Sequence, residues 1–194
     1  MTIVYIVLAI LVALVLWVIM AYNGFVRLRN RVDEGWADID VQLKRRYDLI
    51  PNLIETVKGY ANHEEKVLQQ VIEARSKATQ ITVDPSTVSH EQMQQAANAE
   101  QGLTAALGRL FALSESYPDL KANENFLELQ RELTDTENKI QAARRFYNGL
   151  VRDMNTAVEM FPGSIVAGTF HFGKREFFEL DPESEARDPV AVQF

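Results

Sequence analysis

The sequence predicts an all-α protein: an N-terminal transmembrane helix followed by an antiparallel bundle of three to four long helices. Three observations carry that prediction. Residues 3–21, IVYIVLAILVALVLWVIMA, are uncharged and almost wholly aliphatic. From Val32 onward, large apolar residues recur at steps of three and four, the rhythm of a packed helix face. No stretch of useful length alternates apolar and polar residues as a half-buried strand would.

The apolar run comes first. At about 1.5 Å per residue it matches the ~30 Å hydrocarbon layer of a bilayer, so residues 1–23 are expected to be a retained anchor. A cleaved secretory signal would carry a basic residue before a shorter apolar core, and small residues at the cleavage point. Here only Met1 and Thr2 precede the run, and Ile19-Met20-Ala21 is a poor cleavage site. Tyr5, Trp17, Tyr22 and Arg27 stand near the two ends, where amphipathic and cationic side chains favour the headgroup level. Arg27, Arg29 and Arg31 follow the span closely, so the positive-inside rule favours a cytoplasmic over a periplasmic C-terminal body.

A long bundle helix is predicted next, over about residues 25–81. Its seam is Val32, Trp36, Ile39, Leu43, Tyr47, Ile50, Ile54, Val57, Ala61, Leu68 and Val71. The seam makes one irregular step through Leu43 and Tyr47, just before Pro51, which suggests a shift of face there. An interior proline lacks the N–H its turn requires and costs about 3 kcal/mol unless something compensates. TVDPSTVSH, residues 82–90, reads as a loop, and Ser89 three residues before Gln92 has capping-box spacing. A second helix should run over about 90–117, burying Met93, Ala96, Leu103, Leu107 and Leu110, with Pro118 ending it. A third is predicted over about 119–161, with Phe126, Leu129, Leu133, Ile140, Ala143, Tyr147, Leu150, Met154 and Val158 as its stripe and Pro162-Gly163 as its stop. The bundle is taken as 24–180, with Phe170, Phe172, Phe177 and Phe178 docking on it, and 181–194 as a flexible acidic tail.

Helix lengths bear on assembly. A first helix of about 57 residues would extend about 85 Å and a second of about 28 residues would return about 42 Å, leaving the part below Pro51 without a neighbour from the second helix. Val32, Trp36, Ile39 and Leu43 would then form an exposed apolar row, the expected interface of a homo-oligomer. A bend at Pro51, or the C-terminal aromatics folding onto this face, would satisfy the same row.

Little in the chain points to catalysis. The net charge of −7 argues against nucleic acid as a partner, and the absence of cysteine excludes thiol chemistry. The three histidines, His63, His90 and His171, fall in no H-E-x-x-H or Glu-x-x-His pattern. No phosphate-binding glycine loop or nucleophile elbow occurs. Pairs such as Asp33 and Glu34 or Asp38 and Asp40 read as a solvated face. No catalytic residue, metal ligand or cofactor is therefore expected. Two polar sets do stand out at helical spacing: Asp48, Asn52 and Glu55 around Pro51, and Arg144, Asn148, Arg152 and Asn155 on the third helix. Each is either a solvated border or a hydrogen-bonded ladder that fixes register within the chain or between copies, and we take the ladder as the expectation. The first set also stands where it could satisfy the Tyr47 carbonyl that Pro51 leaves free.

The segment VQLKRRYDLIPNLIETVKGYANHE, 41–64, resembles the signature of the LemA family, and ARRFYNGLVRDMNTAVEMFP, 143–162, with FFE at 177–179, resembles its second block. The resemblance implies a bacterial single-pass membrane protein with an antiparallel bundle of long helices and no established enzyme activity. It also implies contexts of envelope maintenance and membrane-associated proteases. The function expected is thus a non-enzymatic, self-assembling scaffold or adaptor at the bacterial plasma membrane, with the lipid bilayer and further copies of itself as partners. The alternatives are a regulatory partner of a membrane protease or another envelope protein, and a metal-dependent membrane-bound hydrolase using Asp48 and Glu55 with a distant histidine.

Overall fold

The structure, a computed structural model, describes residues 1–61 and 64–179, and every regular element among them is a helix. His63, Leu180 and the expected acidic tail, 181–194, lie outside the described residues. The first helix, α1, runs unbroken from Thr2 to Lys58. Its N-terminal part holds the apolar run, is long and apolar enough to cross a membrane, and has no residue buried against the rest of the chain. Phe25 is the first buried residue, and from there the same helix becomes part of the bundle.

The helix predicted to continue to residue 81 stops at Lys58 instead. Gly59 and Tyr60 turn the chain, and α2 (Glu65–Gln80) folds back along α1, so that Arg75 of α2 reaches the Tyr47 carbonyl. The loop after α2 then descends along the membrane-proximal half of α1 and turns at Asp84, whose carboxylate accepts from the Ser86 amide at 2.8 Å and its hydroxyl at 2.6 Å. Those two bonds hold the Asp84 carboxyl below the usual aspartate range.

Helix α3 (His90–Ser114) opens on the expected capping box, the Ser89 hydroxyl accepting from the Gln92 amide and the Gln92 side chain from the Ser89 amide. It ends at Ser114, before residue 117, and Pro118 does not simply stop it but occupies the first turn of a one-turn helix, α4 (Pro118–Lys121). Asn123 caps a separate helix, α5 (Glu124–Glu159), by accepting from the Phe126 amide at 3.0 Å. The single helix expected over 119–161 is therefore two. A further short helix, α6 (Gly163–Thr169), was not legible in the sequence.

α5, with 36 residues, is about 54 Å long and packs antiparallel along the whole bundled part of α1. This overturns the argument for an unpaired lower seam. Val32 and Ile39 are 0% exposed, Leu43 7% and Trp36 8%, all within one chain. They lie in a core with Met93, Tyr147, Leu150, Val151 and Phe178. The early return of the chain at Gly59, the full length of α5 and the docking of Phe178 together cover the row. These four side chains are consequently not available as an interface between copies.

Candidate functional site

Two apolar cores are stacked along the bundle. The membrane-proximal core ends with Leu43, Met93, Ala96 and Ile140, and the membrane-distal one begins with Ile50, Leu103 and Leu133. Between them α1, α3 and α5 keep their three-and-four rhythm by placing a polar residue where an apolar one is expected, and α2 does the same within the edge of the membrane-distal core. α1 reads Leu43-Arg46-Ile50, α2 Val71-Arg75-Ala78, α3 Ala96-Glu100-Leu103, and α5 Leu133-Thr136-Ile140. Arg46 is 2% exposed, Glu100 7% and Thr136 0%.

Apart from Thr136, whose hydroxyl donates to the Glu132 carbonyl of its own helix, the layer is a connected network that α5 joins through Glu137. Arg46 pairs through Nη2 with Glu100, donates through Nη1 to Glu137 at 2.6 Å and to the Thr104 hydroxyl at 3.1 Å, while the Tyr47 hydroxyl donates to Glu100. Arg75 joins it by donating Nε–H to the Tyr47 carbonyl at 2.8 Å. Burial pulls the Arg46 guanidinium below its ordinary value, with Glu137 and Tyr47 opposing. Burial also raises the Tyr47 phenol. Arg46 Nε has no partner among the described residues, but its two Nη groups are paired only when α1, α3 and α5 sit in one register, since a slip of a turn would leave a buried charge against an apolar core.

The Arg75 bond also accounts for Pro51. Tyr47 is four residues before Pro51, so its carbonyl has no helical N–H to accept from. Arg75 supplies the donor from the neighbouring helix. Asp48, Asn52 and Glu55, expected near that carbonyl, are exposed. An ionised carboxylate has no proton to donate, so Asp48 and Glu55 could not have filled the role. That set is the solvated border. Pro51 itself lies at a level where α1 already has neighbours, because α2, α3 and α5 all extend past it.

The second polar set behaves differently. After α6 the chain turns back and residues 172–179 run as an extended strap along α5. Asn155 donates to the Arg175 carbonyl at 2.9 Å and accepts from its amide at 2.8 Å. Asn148 donates to the Phe178 carbonyl at 3.3 Å and accepts from its amide at 2.9 Å. Arg144 donates to the same carbonyl at 3.3 Å and lies over the Phe178 ring, 4.9 Å from its centroid. Seven helical residues rise about 10.5 Å and three extended ones about 10 Å, so asparagines at this spacing meet strap residues three apart. The ladder is intrachain, and Arg152, which is exposed, takes no part in it. Tyr147 adds a bond to the Glu176 carbonyl at 3.0 Å, and burial pushes its phenol well above the ordinary tyrosine value.

At the membrane-proximal end α6 rests on α1. The left-handed backbone of His171, φ 59°, closes α6, with the Phe172 amide reaching back to the Ala167 carbonyl at 2.9 Å. This turn stacks Phe172 on Phe25, with centroids 5.1 Å apart, and sets Tyr22 edge-on to Phe170 and Phe172. Of the expected membrane-interface residues, Trp17 is half-buried against this end of the core, whereas Tyr5 and Arg27 are exposed. Arg175 ties the region together, donating to the Pro85 carbonyl at 2.8 Å and standing 3.8 Å from Asp33. His90 pairs with Glu176, and no cluster of three or more histidine or acidic residues placed to hold a metal occurs among the described residues.

Arg46, Arg75, Glu100 and Arg175 are the structural residues that pattern reading missed. The signal for the first was the irregular seam step itself. The regular rhythm passes through Arg46, and assigning it to the surface forced the stutter onto Tyr47.

Comparison with known proteins places the chain. The sequence model of the LemA family matches residues 35–194. Magnetosome protein MamQ of Magnetospirillum gryphiswaldense is 24% identical over 192 residues, covering 90% of this chain and 71% of that protein. Protein LemA of Metamycoplasma hominis is 28% identical over 145 residues, covering 75% of this chain and 63% of that one. Magnetosome protein MamQ 2 of Paramagnetospirillum magneticum is 22% identical over 191 residues, covering 90% and 70%.

Proposed function

The chain belongs to the LemA family, and from that membership we propose that it is a non-enzymatic, single-pass scaffold or adaptor that self-assembles at the bacterial plasma membrane with its body in the cytoplasm. The observation that carries this reading is the continuity of α1, one helix that is apolar and unburied at its start and a core element of the bundle from Phe25 to Val57. With no loop between span and bundle, the bundle's position is coupled to the bilayer. The polar layer gives that bundle a single register, as a presenting surface needs. Arg27, Arg29 and Arg31 at the exit of the span support the cytoplasmic side.

The side chains first considered for hydrolysis, Asp48 and Glu55, face solvent on one helix. Self-association falls to outward faces of the bundle, where Val41 on α1 and Phe146 on α5 are exposed apolar side chains. Blue-native electrophoresis and size-exclusion chromatography of the detergent-purified full chain test this. Oligomers that dissociate on Val41→Asp or Phe146→Asp, with helicity unchanged, are the expected result. A monomer at every concentration sinks self-assembly. Trp36→Asp and Ile39→Asp are unsuitable probes, since both residues are core.

A further inference from the structure

We propose that the elbow between α5 and α6, Met160–Phe170, is a second membrane contact that lies in the interfacial zone of the bilayer crossed by α1. Among the described residues outside the span, exposed large apolar side chains are scattered singly, as Val41, Tyr60, Ile72 and Phe146 are. The elbow is the exception. Met160 is 60% exposed, Phe161 79%, Ile165 59% and Phe170 46%, all within eleven residues of one turn of chain. The opposite side of α6, Val166 and Ala167, is buried in the membrane-proximal core.

The level of this patch identifies what covers it. A Cβ on Gly163 would stand 3.5 Å from the Phe25 ring, and Phe170 packs edge-on against Tyr22 at 4.9 Å. Trp17 and Ala21, both at the end of the apolar run, pack against the core that holds Val166 and Ala167. α6 therefore sits where the span leaves hydrocarbon. Its seven residues are about 10 Å long, yet its two ends touch α1 residues only about 4.5 Å apart in rise. Both ends of α6 thus meet α1 within one turn of helix at the exit of the span. Above it stand Arg27, Arg29 and Arg31, all exposed, and Lys174, paired with Glu159, a rim of charge that suits phospholipid headgroups. The lipid interface is the occupant that both the level and the rim fit. The inference depends on α1 spanning the bilayer and is independent of self-assembly.

The chain has no cysteine, so single cysteines can be introduced one at a time and labelled with an environment-sensitive fluorophore in the full-length protein. The labelled protein is reconstituted in phosphatidylethanolamine–phosphatidylglycerol vesicles. Labels at Phe161→Cys and Ile165→Cys are compared with Ile72→Cys and Lys77→Cys on the exposed face of α2 and Leu11→Cys within the span. Spin-labelled phosphatidylcholine is expected to quench the elbow labels roughly threefold more than the bundle labels, as burial at the acyl–headgroup boundary requires, while aqueous iodide does the reverse. Iodide quenching of the elbow equal to that of Ile72→Cys overturns the proposal. Shielding from both quenchers also overturns it, because a protein then covers the patch. A Leu11→Cys label that lipid fails to quench removes the anchor, and the proposal with it, and so separates the two failures.

Discussion

Pro51 and Arg75 should be energetically coupled through an atom that belongs to neither. The Tyr47 carbonyl accepts from Arg75 Nε at 2.8 Å because Pro51 offers it no N–H. Replacing Arg75 with Met keeps most of the aliphatic stem and removes a charged donor, whose bond to a half-buried carbonyl is worth about 1.5–3 kcal/mol. In a Pro51→Ala background the substituted alanine returns the helical N–H to the same carbonyl. Arg75→Met should then cost below about 1 kcal/mol, leaving a coupling of about 1–2 kcal/mol. Pro51→Ala alone should stabilise by only about 0–1 kcal/mol: interior proline costs ~3, its restriction of the unfolded chain offsets ~1, and the Arg75 bond already recovers about 1–2. The assay is urea unfolding of the full chain in mild detergent, followed by emission of Trp36, which packs between Tyr147 and Phe178. Trp17→Phe removes the only other tryptophan. Additivity of the two substitutions within about 0.4 kcal/mol would refute the account of why this helix tolerates its proline.

Three further outcomes follow from the same geometry. Asn148→Ala or Asn155→Ala should each cost about 1–3 kcal/mol by deleting a donor–acceptor pair to the strap, and should speed hydrogen exchange at the Phe178 or Arg175 amide by about tenfold or more. Arg46→Met should destabilise by about 3–5 kcal/mol because Glu100 is left buried without its cation. Arg46→Met with Glu100→Leu should regain at least half of that in urea unfolding while broadening the amide spectrum as register loosens. Alkali should weaken the fold: the Tyr47 and Tyr147 phenols are raised in the native state, so the unfolded chain loses protons first above pH ~10. Their contribution is complete below that pH and is lost above it, at up to about 1.4 kcal/mol per pH unit for each group, visible as a falling urea midpoint that Tyr147→Phe flattens.

The seams were the most legible feature of the chain, because burial of a helix face is written in the spacing of its apolar residues. Val32, Trp36, Ile39, Ile50, Leu103, Leu110, Phe126, Tyr147 and Met154 were all expected inside and are all buried. The capping box at Ser89 and the docking of Phe172 and Phe178 were also expected. The turn at Gly59 escaped because a short reversal can leave the three-and-four rhythm almost in phase, so that Ala61, Leu68 and Val71 read as one helix with Val57. Arg46 and Glu100 escaped for another reason. A charge on a seam is read as surface until its partner is known, and the partner lies 54 positions away in the chain.

By itself the sequence determined what local chemistry can determine: an apolar segment long enough to cross a bilayer, which face of each helix is apolar, and where serine, proline and glycine begin or end a turn. Only the tertiary structure decided which faces meet. Helix periodicity encodes a direction and not a neighbour, so the row at Val32, Trp36, Ile39 and Leu43 could be assigned to a second copy until the return of the chain at Gly59 and the length of α5 supplied its cover. The same holds for the polar groups. Asp48, Asn52 and Glu55 share the spacing of Asn148 and Asn155, yet only the asparagines on α5 face a backbone in need of partners. Spacing places side chains on one edge of a helix, and what lies across from that edge decides whether they are solvated or hold the fold together.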